Sequence, residues 1–272
     1  MSAISMVHAE SYTPPGPGEF DLPGIGSGGK TFDFLGQHMA AGVTKPMIDI
    51  VIVAIVIFVL FAAASRKRAM VPGRLQFAGE SMYGFVRNSL SRDIIGSHDA
   101  ARFTPYLFAL FAFILLNNFL GSIPFFEFPT FGRAGMVYPL AIMSWCIYNY
   151  AGIKKHGLGG YIKLMTVPGG VRGPILLLLC PLEALSNFIV RPITLALRLF
   201  CNMFAGHLLL ILFATGGLYL VEKSMAYAPV GVLAWVLFIG VAILEVLIQF
   251  LQAYVFVLLN AMYISGAVAD EH

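Results

Sequence analysis

Charge is scarce in this chain. Of its 272 residues only 11% are Asp, Glu, Lys or Arg, while 58% are hydrophobic; a soluble domain carries about a quarter charged residues. With a mean hydropathy of +0.83 and long apolar runs, this scarcity excludes a soluble globular domain and points to an integral membrane protein. Cysteine is scarce too. Cys146, Cys180 and Cys201 lie within apolar segments at irregular spacing, which reads as buried, inert thiols and not as a disulfide framework. The six histidines form no metal-ligand pattern, so no metal or other cofactor is expected. The net charge of +3 comes from basic residues clustered between apolar runs, with no stripe suited to nucleic acid. No basic start followed by an apolar core and a cleavage site is present, so no cleaved signal peptide is expected. There is no internal repeat.

What is present is a succession of apolar runs. Residues 1–45, rich in Pro and Gly ("YTPPGPGEFDLPGIGSGG"), lack helical periodicity and read as an extramembrane tail; residues 46–272 read as the membrane domain. A first span is expected over Pro46–Ala64, ending at "SRKR". Residues 72–92 mix apolar and charged positions and suit a helix lying on the membrane surface. Further spans are expected over Phe103–Ile123 and Met136–Ile153. Two longer runs remain. Pro174–Phe213, about 40 residues, would measure about 60 Å as one helix, twice the hydrocarbon core. Pro229–Ser265 is nearly as long. Each is either a hairpin of short spans or one steeply tilted helix; no Gly/Asn/Asp turn cluster surrounds Arg191-Pro192, which favours the tilted helix.

Basic loop residues mark the cytoplasmic side. Arg66, Lys67, Arg68, Arg74, Arg87, Arg92 and Arg102 lie between spans one and two, and Lys154, Lys155, Lys163 and Arg172 between three and four. The alternate loops hold only Glu127 with Arg133 and Glu222 with Lys223. Five spans follow, with the N-terminus outside and the C-terminus cytoplasmic.

Polar groups recur deep in the last two runs. At about 100° per residue, Glu183, Asn187, Arg191, Thr194 and Asn202 fall within roughly 60° of Arg198 on one helix face. His207 falls on the opposite side, about 13 Å further along the axis. In the last run Gln249, Gln252, Asn260 and Tyr263 lie within roughly 60° of Glu245. Such residues can simply join helices through hydrogen bonds, which suits Asn187, Thr194, Asn260 and Tyr263. A permanently charged arginine is different, since placing it at mid-membrane costs at least about 2.5 kcal/mol. Arg198 with His207 and Glu245 suggests an ion path or proton relay. Arg191, nearer a membrane face, suits snorkelling.

"RPITLALRLFCNMFAGH" and "LIQFLQAYVFVLLNAMYIS" resemble the signature segments of subunit a of bacterial F-type ATP synthases. "LLNNFLGSIPF" is similar to the end of that family's earlier span. The resemblance covers residues 45–272. It implies an all-α membrane fold of about five transmembrane helices plus a surface helix, whose last two helices are long and tilted against a ring of c subunits. It makes Arg198 the essential charge facing ring carboxylates. It assigns Glu183, Asn202, His207, Glu245, Gln249 and Gln252 to two offset proton half-channels. Cys201 stands where the family usually has Gly, and the His/Glu pair at 207 and 245 is exchanged relative to many members. The resemblance further implies c-ring and b-type peripheral-stalk partners, indirect coupling to the F1 head, and no catalytic chemistry in this subunit itself. A secondary proton antiporter is the alternative; such folds usually show inverted repeats.

Overall fold

The computed structural model describes residues 12, 14–16, 31–34, 37–40, 45–66, 73–97, 99–121, 130–167, 175–223 and 225–269. Most of the tail lies outside these residues, as do Lys67, Arg68, Glu127 and Arg172 of the loop-charge reading. Within the tail, β1 (Thr31–Phe34) and β2 (Gln37–Ala40) pair antiparallel, Thr31 opposite Ala40 and Phe34 opposite Gln37. The remaining elements are helical. They are α1 (Lys45–Arg66), α2 (Arg74–Phe85), α3 (Ala100–Gly121), α4 (Ala134–Thr166), α5 (Leu176–Leu185), α6 (Arg191–Lys223) and α7 (Ala228–Val268).

The Val- and Ile-rich run of α1 has no strong helix propensity in water. In hydrocarbon no solvent can satisfy an open backbone, so each N–H and C=O must bond within its own segment, and the run is helical. Among the described residues four helical stretches are long and apolar enough to cross a membrane: Pro46–Ala64, Ala100–Gly121, Leu176–Lys223 and Ala228–Val268. The expected span Met136–Ile153 lies inside α4, which is long enough but diluted by Asn149, Lys154, Lys155 and His156. The expected surface helix is α2, continuing through a π-helical stretch, Val86–Arg92, to Ile95.

The length puzzle resolves as continuous helix. Leu185, Ser186 and Arg191 all keep right-handed helical dihedrals, so α5 passes into α6 through a π-helical turn at Ser186–Val190. Pro192 supplies no backbone N–H and crowds the carbonyl four residues before it; the wider π-turn just upstream gives it room. The run spans 48 residues and α7 spans 41.

The chain divides into two compact units. One comprises Met1–Ile50, Asn117–Met136 and Phe200–Leu251. In it α6 and α7 run antiparallel and touch through small residues. A Cβ on Gly231 would lie 2.7 Å from the Gly217 carbonyl oxygen, and one on Gly217 would lie 2.7 Å from Trp235. Lipid tails supply no hydrophobic drive between helices, so close van der Waals contact of this kind holds them together.

The other unit comprises Val51–Leu116, Val137–Leu199 and Gln252–His272. Its packing is aromatic: Phe61 and Tyr83 both meet the Phe108 ring edge-on, at 4.8 and 5.3 Å. Helix α4 kinks at Gly157, whose φ of 72° suits glycine. The kink lays Tyr161 over Gly152, where a side chain would collide with the ring. The Tyr161 hydroxyl donates to Asn149 Oδ1 at 2.9 Å, and Tyr161, Met165 and Ala267 form a buried cluster. The end of α7 is pinned as well: Lys155 Nζ donates to the Val268 carbonyl at 2.6 Å and Ser265 Oγ to that of Ile94 at 2.9 Å.

Gly231→Ala sets a methyl against a backbone oxygen that cannot rotate away, so overpacking should destabilise the protein by about 1–3 kcal/mol. Gly240, on the same helix with nothing within 4 Å of its Cβ position, should accept Ala without loss. Thermal unfolding in detergent of both variants checks the contrast; equal effects would show that α6 and α7 do not meet at Gly217 and Gly231.

Candidate functional site

Helix α7 carries Glu245 and Gln249 one turn apart, 5% and 2% exposed. Opposite Glu245 stands Gly206 of α6, whose missing side chain admits the carboxylate: a Cβ there would lie 3.2 Å from Oε1. The next residue, His207, brings Nδ1 to 3.9 Å from Glu245 Oε1. That separation is too long for a direct hydrogen bond but within ion-pair distance when the histidine is protonated. Glu245 Oε2 is buried and has no hydrogen-bond partner among the described residues. The expected meeting of His207 and Glu245 is therefore present in the geometry. Below them Asn118 Nδ2 donates to the Gln249 carbonyl at 3.0 Å.

Sequence reasoning missed several members of this unit. Asn117 and Asn118 at the end of α3, Thr130 and Arg133 before α4, and Asp49 near the start of α1 are all buried, none above 6% exposure. Asp49 had a legible signal, as the only acidic residue in an otherwise apolar run. Asn117 and Asn118 adjoin each other within "LLNNFLG", but polarity alone does not say which helix they address.

Arg198 is placed differently. Between Thr194 and Leu212 of α6 the exposed residues are Thr194, Leu197, Arg198, Cys201, Asn202, Ala205, Leu209 and Leu212. Their spacing of three and four residues makes one stripe along the helix, and the chain's own side chains do not cover it. Leu195, Ala196 and Leu199 on the other side are buried. Gln252 of α7 is 4% exposed.

Glu183 is half-buried on α5. The π-turn at Ser186–Val190 stands between it and Arg198, so a constant 100° per residue misplaces everything upstream of that turn. Asn187 illustrates the shift: it is 5% exposed, unlike Arg198. Its Nδ2 donates to the Met165 carbonyl at 2.5 Å and its own carbonyl accepts from the Tyr148 hydroxyl at 3.4 Å. Asn187 therefore joins helices. Thr194 and Asn260 donate within their own helices, to Val190 and Phe256 carbonyls. Arg191 lies over the Tyr263 ring at 5.0 Å, with Tyr148 5.6 Å from that ring, a cation–π seat where snorkelling was expected. Among the described residues no group of His, Cys, Asp and Glu could hold a metal ion.

Gly206→Val would drive the Glu245 carboxylate away from His207. In the parent protein Glu245→Gln should change the His207 ring-nitrogen chemical shifts in solid-state NMR; in the Gly206→Val background it should leave them unchanged. The same response in both backgrounds would disprove the coupling.

Comparison with known proteins gives a consistent picture. The family model described as ATP synthase A chain matches residues 47–265. A protein of a Nocardioides species named "ATP synthase subunit a" is 70% identical over 272 residues, covering 100% of this chain and 98% of its own. One of the same name from Pseudarthrobacter chlorophenolicus is 46% identical, with both chains fully covered. A third, from Rhodococcus erythropolis, is 38% identical over 81% of each chain.

Proposed function

Because the chain belongs to the ATP synthase A chain family, we propose that it conducts protons through two offset half-channels and couples their flow to rotation of a c ring. Membership makes it subunit a of a bacterial F-type ATP synthase, and its apolar helices make it a multi-pass membrane protein. Residues 46–272 form its membrane domain and residues 1–45 an outer tail; the N-terminus lies outside and the C-terminus in the cytoplasm. Its partners are the c ring and b-type stalk subunits, with the F1 head coupled indirectly.

The observation that carries the reading is Arg198, a permanently charged group within a 48-residue apolar span that the chain itself leaves exposed. Lipid contact along that stripe would strand the guanidinium in hydrocarbon, at a cost of at least about 2.5 kcal/mol. A partner carrying carboxylates removes the cost. Each ring carboxylate crosses lipid in its neutral form. Beside Arg198 a fixed positive charge in low dielectric favours the ionised form, so the proton leaves there. A new proton arrives from the other half-channel, and Arg198 bars protons from passing straight between the two. A charge crossing the potential releases about 2.3 kcal/mol per 100 mV, and this work turns the ring.

The outer half-channel runs past His207, Glu245 and Gln249. These residues lie in one compact unit, and the Oε2 of Glu245, buried without a hydrogen-bond partner among the described residues, supports a group kept free to exchange protons. The inner half-channel runs past Glu183, with Arg198 and Gln252 in the same unit. The last two helices, far longer than the hydrocarbon core is thick, tilt along the ring.

Arg198→Ala should abolish ATP synthesis and ATP-driven proton pumping in inverted vesicles while the complex still assembles, and passive proton leak should persist or rise. Coupled pumping at the parent level would rule out the role given to Arg198. Glu183→Cys should react with a membrane-impermeant thiol reagent applied from the cytoplasmic side; labelling only from the outer side would reverse the placement of the inner half-channel.

A further inference from the structure

The outer end of α6 is held on two opposite faces, and one of the two holders comes from the tail. Gly206 and Gly217 both face α7, and eleven residues of helix separate them by a rotation of only roughly 20°. Thr215 stands roughly 180° from Gly206, on the far side. Tyr12 packs there: its hydroxyl lies 3.3 Å from Thr215 Oγ1, and its ring stacks on Tyr219 at 5.1 Å with planes 26° apart. Thr215 has a single hydroxyl proton, which it donates to the Ile211 carbonyl at 2.8 Å, so Tyr12 is the donor in the Tyr12–Thr215 bond. Gly216 lies beside the same hydroxyl, its Cβ position 3.4 Å from the oxygen. Lys223 joins the cluster, with Nζ 5.4 Å from the Tyr219 ring centre and 6.0 Å from that of Tyr227.

We propose that Tyr12 is a positioning residue: a clasp that stops α6 turning about its own axis under the load of the moving ring, and so keeps His207 facing Glu245. The inference rests on the rotary reading above. A ring driven past α6 drags on one side of that helix and applies a torque. Gly217 against Gly231, with Trp235 packed at the first and Val221 at the second, holds α6 on the α7 side only and leaves its opposite face to be held by something else. Tyr12 supplies that hold, a large flat ring fixed by a stack and a directed hydrogen bond on the face opposite α7. A turn of α6 by even one residue's angle, about 100°, would carry His207 out of reach of Glu245.

The clasp makes a difference that depends on load. In inverted vesicles holding the whole complex, Tyr12→Ala should assemble and pump normally at low membrane potential. As the potential rises, protons pumped per ATP hydrolysed should fall by roughly two- to tenfold, the bias an aromatic pair imposes on such an equilibrium. Tyr12→Phe, which keeps the stack, should retain most of the coupling. A second variant, Tyr12→Cys with Thr215→Cys, is joined by a short, reducible bifunctional thiol reagent, and the linked peptides are identified by mass. Coupling under load should match the parent while the link is intact and drop when it is reduced. This comparison within one assembled sample decides the matter even if Tyr12→Ala fails to assemble. Parent-level coupling at every potential in Tyr12→Ala, equal coupling in the linked and reduced forms, or no link at all would overturn the clasp. Failure of the rotary reading itself would show elsewhere, as coupled pumping that survives Arg198→Ala.

Discussion

Hydrocarbon accepts and donates no hydrogen bonds, so every polar group at membrane depth must find its partner inside the protein or be held for a purpose. Most of this chain's buried polar groups meet the first condition. Asn187 is tied to the Met165 carbonyl, Tyr161 to Asn149, and Lys155 to the last carbonyl of α7. Against that background two charged groups stand apart. Glu245 keeps one carboxylate oxygen buried without a partner among the described residues, and Arg198 sits on a helix face that the chain leaves bare. The first suits a group that must take up and release a proton, the second a charge whose counter-charge is brought by another subunit.

The same constraint governs packing. Because lipid is as apolar as leucine, helices associate through contact and not through exclusion of water. Glycine then acts by absence. Gly217 and Gly231 let two backbones approach, and Gly206 opens the niche for the Glu245 carboxylate. Each absence is local, yet together they determine which long helix meets which, at what height, and with which side chains facing.

Much of the fold was legible from periodicity and length. The apolar runs of α1, α3, α5 with α6, and α7 stand clear of their flanks, and the continuity of the fourth run followed from the absence of turn residues around Arg191-Pro192. The kink at Gly157 and the π-turn at Ser186–Val190 were not legible. Both are departures from ideal geometry, forced by a positive φ in one case and by crowding around Pro192 in the other, and a constant angle per residue cannot register them. That is why Asn187 was placed with Arg198 and is instead buried. The β1–β2 pair escaped notice because eight strand residues within a Pro- and Gly-rich stretch present too short an alternation to stand out.

Sequence alone determined the class, through composition and run length against the thickness of a bilayer, and pointed to the family through the resemblance of the segments around Arg198 and Gln252. Both are properties of residues taken in order, as is a guanidinium that cannot shed its proton within an apolar run. Only tertiary structure decided that His207 meets Glu245 beneath Gly206, that Asn118 reaches the Gln249 backbone, and that Tyr12 crosses to Thr215. Such contacts join residues 38, 131 and 203 positions apart. Helical periodicity gives each residue a direction around its own axis, but it contains no information about what another helix places opposite.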